Sequence, residues 1–508
     1  MKIRQTRGKK RARPRLDFKT ARIARDLETF LKARRARSIR LCENTSIHLQ
    51  TIASPAVKFG IALLRARFAT KIAARSVWKE LGEHLSARLT FALGPTFRLQ
   101  DAAAKAVARS DSTVRTEITL RETMLAFPGV LDVAARIISA WLDAQRELLN
   151  RVLSDEASLK KYFIRPKRRF RVVHIRPGLS DPHDFGRTVT FVRFPENRRV
   201  VYKPRSADRE LLWFESLRWL NRNGFSLSFR TPKLIPRENY CWMELVASRS
   251  CKTLRAVRDF YVRWGAQAAL AQLLLATDLH RENWVPAGSQ PVLADAELIG
   301  DAVAPRKAGR SLAHRRFPLL LQTGLLPLTL RDRLGSYEAM GPFDGRIPSS
   351  IPPDCWPKYN QVRQEPRKYV RELARGFEVV AKIFGNSTAS TKFFHEVIAP
   401  HNNCKTRRVL LRPSAQYARL LRASLEPIHL SSAESRWRYL LKLCSAKCAN
   451  SEVALAEAEA LLWCDIPKIE MRATTPLVSW ERFSAAVAEL QNSVRLFRSR
   501  VLLKRASA

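Results

Sequence analysis

With 508 residues, 46% of them hydrophobic, the chain can form two or three domains around a sizeable core, which excludes wholesale disorder. It carries 91 Lys+Arg against 46 Asp+Glu, a formal net charge of +45. Such an excess attracts polyanions (nucleic acid, anionic lipid or an acidic peptide) in a strongly salt-dependent way.

Residues 1–45 read as a basic, disordered tail, with helical spacing open from about Leu16; the first 40 residues hold 16 Lys/Arg and 3 Asp/Glu. MKIRQTRGKKRARPRL lacks the apolar core of a secretory signal. Residues 46–160 read as a helical region, because VKFGIALLRARFATKIAARSVWKELGEHL and ETMLAFPGVLDVAARIISAWLDAQRELLNRVL space their apolar residues three and four apart.

The pattern changes near Phe163. RFRVVHIR, GRTVTFVRF and RRVVYKPRS are short, β-branched and bounded by turn residues, as in a small antiparallel sheet. ADRELLWFESLRWLNRNG returns to helical spacing, NYCWMELV is a further strand, and VRDFYVRWGAQAALAQLLLAT is a long apolar helix running into DLHRENW. Beyond about 300 the chain is mainly helical with Pro-rich connections. A small sheet with one helix, followed by a helical lobe with polar residues between them, is the layout of a kinase. The fold expected is therefore α+β, a kinase-like (lipid-kinase-like) bilobal core with extensive helical additions. Its N-lobe and catalytic loops span 161–300 and its helical C-lobe 301–508.

Four polar clusters lie in apolar surroundings: Asp181-Pro-His183-Asp-Phe-Gly186-Arg187, Val201-Tyr-Lys203-Pro204-Arg205, Asp278-Leu-His280-Arg-Glu-Asn283 and Asp295-Ala-Glu297. Phosphoryl transfer from ATP needs a cation on the phosphates, Mg²⁺ held by a carboxylate and an amide, and a polar residue at the attacking hydroxyl. Lys203 fits the first need, Asn283 with Asp295 the second and Asp278 the third. Each residue taken singly reads more blandly: a hydrogen-bonding histidine at 280, a strand-end lysine at 203, an Asx turn at Asp181. Their order along the chain is that of lipid-kinase-like catalytic and metal-binding loops. Whether Glu210 or Glu215 pairs with Lys203 is open at this level.

SDPHDFGRTVTFVRF, VVYKPRS, FYVRWGAQAALAQLLLATDLHRENW, PVLADAELI, RRVLLRPSAQYARLLRASLEP and LLWCDIPKIEMRATT resemble successive motifs of the dehydratase domain of class II (LanM-type) lanthipeptide synthetases. The resemblance runs from about Val172 to the end and is weak over the N-terminal helices. It implies a two-step enzyme that phosphorylates Ser and Thr of a ribosomal precursor peptide with ATP and Mg²⁺, then eliminates phosphate. By position, Lys203, Asp278, His280, Asn283, Asp295 and Glu297 match the phosphorylation and cofactor set, with Asn283 and Asp295 as metal ligands. Asp181 and His183 match the loop over the phosphates. Arg408 and Ser414, with Arg412 between them, match the elimination motif, although the family's usual residue at 414 is Thr.

Because nothing follows residue 508, the reading is of a dehydratase without the family's zinc-binding cyclase half. A separate cyclase is left open as a partner. The expected setting is the bacterial cytoplasm, with the basic surface holding an acidic leader peptide; nucleic acid on the basic tail is a less favoured partner. Two rivals remain: a kinase of the same fold without elimination, and a catalytically dead basic scaffold or nucleic-acid-binding protein. The eight cysteines form no Cys-x-x-Cys pair, and Cys444-x-x-x-Cys448 has no partners to complete a zinc set, so free buried thiols are expected. No run of 18 uninterrupted apolar residues is present to span a membrane.

Overall fold

The computed structural model describes residues 17–33, 45–110, 119–164, 169–300, 318–326, 328–332, 335–339, 341–343, 353–402, 406–409, 411–446, 450–472 and 476–501. The protein is mostly helical with a small sheet. Helices α1 (Phe18–Ala33), α2 (Thr45–Phe68), α3 (Arg75–Ser110), α4 (Leu120–Ala126), α5 (Pro128–Ser154) and α6 (Glu156–Tyr162) come first.

Helix α1 occupies the stretch whose helical spacing is open from about Leu16 in the sequence, within the expected tail over 1–45. Ile23, Leu27 and Leu31 recur every fourth residue and bury one stripe in the core, so this stretch packs despite its arginines. Residues 1–16 and 34–44 lie outside the described part.

Strands β1 (His174–Arg176), β2 (Thr190–Phe194), β3 (Arg198–Lys203), β4 (Leu234–Pro236) and β5 (Cys241–Glu244) form an antiparallel sheet in the order β1-β2-β3-β5-β4. Helix α7 (Asp208–Arg222) follows β3. Val192, Phe194, Val200, Tyr202 and Trp242 share one hydrophobic core with α2, α3 and α5. Successive strand residues face opposite ways, so Val201 and Lys203 point away from that helical layer.

A second core gathers around the buried helix α8 (Leu254–Leu273). Next come the hairpins β6 (Trp284–Ala287) with β7 (Gln290–Leu293), and β8 (Leu328–Asp332) with β9 (Gly335–Ala339). Helix α9 (Leu319–Gln322) lies between these hairpins, and β10 (Lys358–Tyr359) and β11 (Val362–Arg363) follow them. Helix α10 (Val370–Phe384) packs on α8 so closely that Gly265 lies against the Leu373 backbone and Gly376 against that of Val262; a Cβ at either would collide with a carbonyl.

Helix α11 (Ser387–Phe393), strand β12 (Thr406–Val409), helices α12 (Ser414–Ser424), α13 (Ala433–Ser445) and α14 (Ser451–Leu462), strand β13 (Ile469–Arg472) and helix α15 (Trp480–Val501) complete the chain. The region after 300, expected to be mainly helical, thus also carries strand pairs, including β12 with β13 across about sixty residues.

Candidate active site

The site begins at the end of β3. Lys203 is buried, and its Nζ donates to Glu210 Oε1 at 2.9 Å and to the Ala294 carbonyl at 2.6 Å, with Asp295 Oδ1 at 3.6 Å. Glu210, in the first turn of α7, is the lysine's partner; Glu215 pairs with Arg218 instead. Arg205 sits beside them, donating from Nη1 to Glu210 Oε2 at 2.8 Å and from Nη2 to Asp295. Burial alone would depress the Lys203 pKa, but Asp295 and Glu210 hold it above its ordinary value. Burial likewise works against an ionised Glu210, and Arg205 with Lys203 outweighs it, so this carboxyl stays below the usual range.

The end of α8 forms the next wall. Leu275 and Asp278 adopt left-handed backbone conformations, which Asp tolerates better than most residues. The turn is tied down where Thr277 N–H donates to the Leu298 carbonyl at 2.8 Å and Leu279 N–H to the Thr323 carbonyl at 2.9 Å. Asn283 Nδ2 donates to the Asp278 carbonyl at 2.8 Å, and the Ala294 N–H to the Asn283 carbonyl at 2.8 Å. The β6–β7 hairpin therefore returns Asp295 to the side of Asn283. His280 Nδ1 accepts the Glu282 N–H at 3.3 Å, and Nε2 stands 4.0 Å from Asp278 Oδ1. Asp278 reaches solvent on one side, yet the surrounding protein raises its pKa against the pull of His280 and Arg408, and the carboxylates of Glu297 and Asp295 add to the rise.

Two distant segments close the site. Residues 183–187 form a tight loop in which His183 and Arg187 exchange backbone hydrogen bonds at 3.0 and 2.8 Å while Asp184, Phe185 and Gly186 are all left-handed. Its anchor is the 460s segment: Gly186 N–H donates to buried Asp465 Oδ2 at 2.8 Å, His183 Nδ1 lies 2.7 Å from the Ile466 carbonyl, and Ile466 N–H donates to the Pro182 carbonyl at 2.8 Å. Arg88 of α3 joins Asp465 Oδ1 at 3.0 Å. The left-handed φ favours glycine at 186, and a Cβ there would push aside the end of the Arg88 side chain, which it would meet at 2.5 Å. On the paired strands, Arg408 lies opposite Glu470 and its guanidinium reaches Glu297. Burial would raise the Glu297 pKa, but Arg205, Arg408, Lys468 and His183 together hold it far below the carboxylate range.

The structure thus joins Lys203, Asp278, His280, Asn283, Asp295, Glu297 and Arg408 in one polar cluster, with His183 at its edge. It does not join Asp181, whose exposed carboxylate makes no contact with the cluster among the described residues. Nor does it join Ser414, the solvent-exposed first residue of α12. Arg412 is held by buried Glu457, with Nε 2.9 Å from Oε1, and is a packing residue. Sequence gives no role to Arg205 or Lys468 and leaves Glu210 as one of two candidate partners of Lys203; only tertiary contact reveals what each faces.

Among the described residues no group of three or more His, Cys, Asp and Glu is placed to cage a metal ion, and no helix is long and apolar enough to cross a membrane. Cys241, Cys251, Cys355 and Cys464 are free and buried, Cys444 is buried as well, and Cys42, Cys404 and Cys448 lie outside the described residues.

A family described as "Domain of unknown function (DUF4135)" matches residues 127–349 and 345–472, more than half of the sequence, and the chain belongs to that family. It is also similar to the lacticin 481/lactococcin biosynthesis protein LcnDR2 of Lactococcus lactis subsp. lactis, with 21% identity over 274 residues. That match takes in 46% of this chain and 29% of the relative, so the shared part is less than a third of the relative's length.

Proposed function

We propose that the chain is a lanthipeptide-type dehydratase with a kinase-like core. It transfers the γ-phosphoryl group of ATP to Ser and Thr hydroxyls of a precursor peptide and then eliminates phosphate. The observation that carries the reading is the buried Lys203–Glu210 pair. A lysine on the third strand, bound to a glutamate on the following helix and directed at the Asp295 segment, is the arrangement by which protein kinases orient a cation toward nucleotide phosphates. The relative's printed role in lacticin 481 and lactococcin biosynthesis points to a precursor peptide as substrate.

In this reading Lys203 neutralises phosphate oxygens, held by Glu210 so that its ammonium needs no reorganisation. Asp278 orients the attacking hydroxyl and accepts its proton, and its raised pKa brings it closer to the working pH as a base. Asn283 and Asp295 offer adjacent oxygen donors suited to Mg²⁺, which takes one or two protein ligands and completes its shell with phosphates and water. Bound there, the ion would offset charge on the transferred group. Arg408 faces the same cluster through Glu297 and is placed to hold the departing phosphate.

A second reading, a kinase that stops at the phosphopeptide, is favoured by one feature: Ser414 stands apart from the cluster. Intact mass separates the two after incubation with ATP, Mg²⁺ and a Ser/Thr-rich peptide encoded beside the gene, since phosphorylation adds ~80 Da and dehydration removes ~18 Da. Water loss by the wild type, no product from Asp278→Ala and trapped phosphopeptide from Arg408→Ala support the dehydratase. Phosphopeptide as the only product of the wild type supports the second reading, and no mass change with any variant removes both.

A further inference from the structure

Lys468 lies in the quoted segment LLWCDIPKIEMRATT but has been given no role, and it stands where three parts of the site meet. It immediately precedes β13, whose Glu470 lies opposite Arg408. Residues two apart on a strand share a face, as do directly opposed residues of an antiparallel pair, so Lys468, Glu470 and Arg408 line one face of the β12–β13 ribbon. The Lys468 ammonium is 2.8 Å from Glu470 Oε1 and 3.8 Å from Asp184 Oδ2, in the loop that contains His183.

The lysine side chain is 10% exposed, whereas these two partner carboxylates are 36% and 42% exposed. A lysine used only as a surface ion pair would be the more exposed member, because its long stem lets the ammonium reach water. Here the cation is drawn inward. An ammonium has three donors, and the Asp184 contact is longer than a hydrogen bond, so with respect to the described residues a donor remains for a further anion. Glu297, the carboxylate that Arg408 grips, also feels the Lys468 charge.

We propose that Lys468 is a phosphate-binding residue of the elimination step, the second cation beside Arg408. The inference rests on the dehydratase reading. In that step the Cα proton of the phosphorylated residue passes to a side-chain base of the cleft. Its electron pair forms the Cα=Cβ bond, the Cβ–O bond breaks, and that bond's pair leaves on phosphate. The transition state gathers negative charge on the leaving oxygen, where a fixed ammonium is most effective in a partly desolvated cleft. Asp184 and Glu470 hold Lys468 between the loop and the strand pair.

The experiment compares the wild type, Lys468→Ala, Lys468→Arg and Glu470→Gln with the precursor peptide and ATP/Mg²⁺, following phosphorylated and dehydrated species over time. For Lys468→Ala the ratio of elimination to phosphorylation is expected to fall at least ten-fold, with phosphopeptide accumulating, and Lys468→Arg recovers a good part of the loss. Calorimetric titration with inorganic phosphate is expected to show at least five-fold weaker binding by Lys468→Ala. A Lys468→Ala protein that dehydrates with the wild-type ratio and binds phosphate equally well overturns the proposal while leaving the dehydratase reading intact. A wild type that phosphorylates without ever eliminating overturns both.

Discussion

Lys203 and Glu210 form a buried ion pair at 2.9 Å between the end of β3 and the first turn of α7, and Arg205 shares the same carboxylate. The two cations differ in what they have besides it. Arg205 also grips Asp295, whereas Lys203 otherwise has the Ala294 carbonyl and a longer approach to Asp295. Removing Glu210 leaves two buried cations to share Asp295, whereas removing Lys203 leaves Glu210 still paired with Arg205.

Glu210→Ala is therefore expected to destabilise the fold by about 3–5 kcal/mol, the cost of breaking a buried pair from one side, and Lys203→Met by clearly less. Denaturant unfolding followed by tryptophan fluorescence checks the order, and equal losses would mean that Arg205 does not take over the carboxylate.

On the dehydratase reading, Asp278 sets the acid limb of the phosphorylation rate. Its pKa lies above the usual carboxylate value because burial disfavours the charged form, with Glu297 and Asp295 adding to the rise. The reaction needs the ionised form, so the rate is expected to fall as pH drops through that raised pKa. Arg408 pulls it down, and Arg408→Gln should move the acid limb to higher pH. A pH–rate profile of phosphopeptide formation tests this, and a shift in the opposite direction would remove Asp278 as the base.

Much of the site was legible because its chemistry sits in short strings. DLHRENW follows a long apolar helix, and YKP ends a strand whose β-branched residues declare it. The partner of Lys203 was not legible: Glu210 and Glu215 both lie on α7, and only the direction of the helix decides between them. Helix α1 was legible only as an option from about Leu16, because its arginines read as a solvated tail while Ile23, Leu27 and Leu31 carry the period that buries it. Ser414 shows the opposite failure. Its place in a motif suggested proximity to the cluster, but the turn at Pro413 leaves it on the surface. Contacts between segments nearly 300 residues apart, such as Gly186 with Asp465, leave no trace in local pattern.

His84 on α3 predicts an acid-sensitive fold. Burial and then the Arg88 charge push its pKa down to about 3, and its Nδ1 is buried without a hydrogen-bond partner among the described residues. The unfolded chain takes up a proton near the ordinary value of 6.5 while the folded protein does not. This group's contribution is thus intact above pH 6.5 and is lost progressively as pH falls from there toward 3. The expected slope approaches about 1.4 kcal/mol per pH unit within the window. His84→Gln should lose less stability than the wild type between neutral and mildly acidic pH, and parallel curves would show that His84 protonates freely in the fold.

Asp465 separates the stability of the loop from that of the whole fold. Its carboxylate holds the Gly186 N–H with one oxygen and Arg88 with the other, while Arg88 Nη1 has no partner among the described residues. Asp465→Ala removes both bonds and leaves a buried guanidinium without its counter-charge, at an expected cost of about 3–5 kcal/mol. Asp465→Asn keeps an oxygen for Gly186 but gives up the charge. It is expected to destabilise globally as well, though less, while the 183–187 backbone keeps most of its protection. Hydrogen exchange at the Gly186 amide discriminates between the two. In Asp465→Ala this amide should exchange much faster relative to global unfolding, because three consecutive left-handed residues do not hold their shape without an anchor. If the Gly186 amide stays protected in Asp465→Ala, the loop is held by the His183–Ile466 and Pro182–Ile466 bonds alone, and Asp465 serves only to neutralise Arg88.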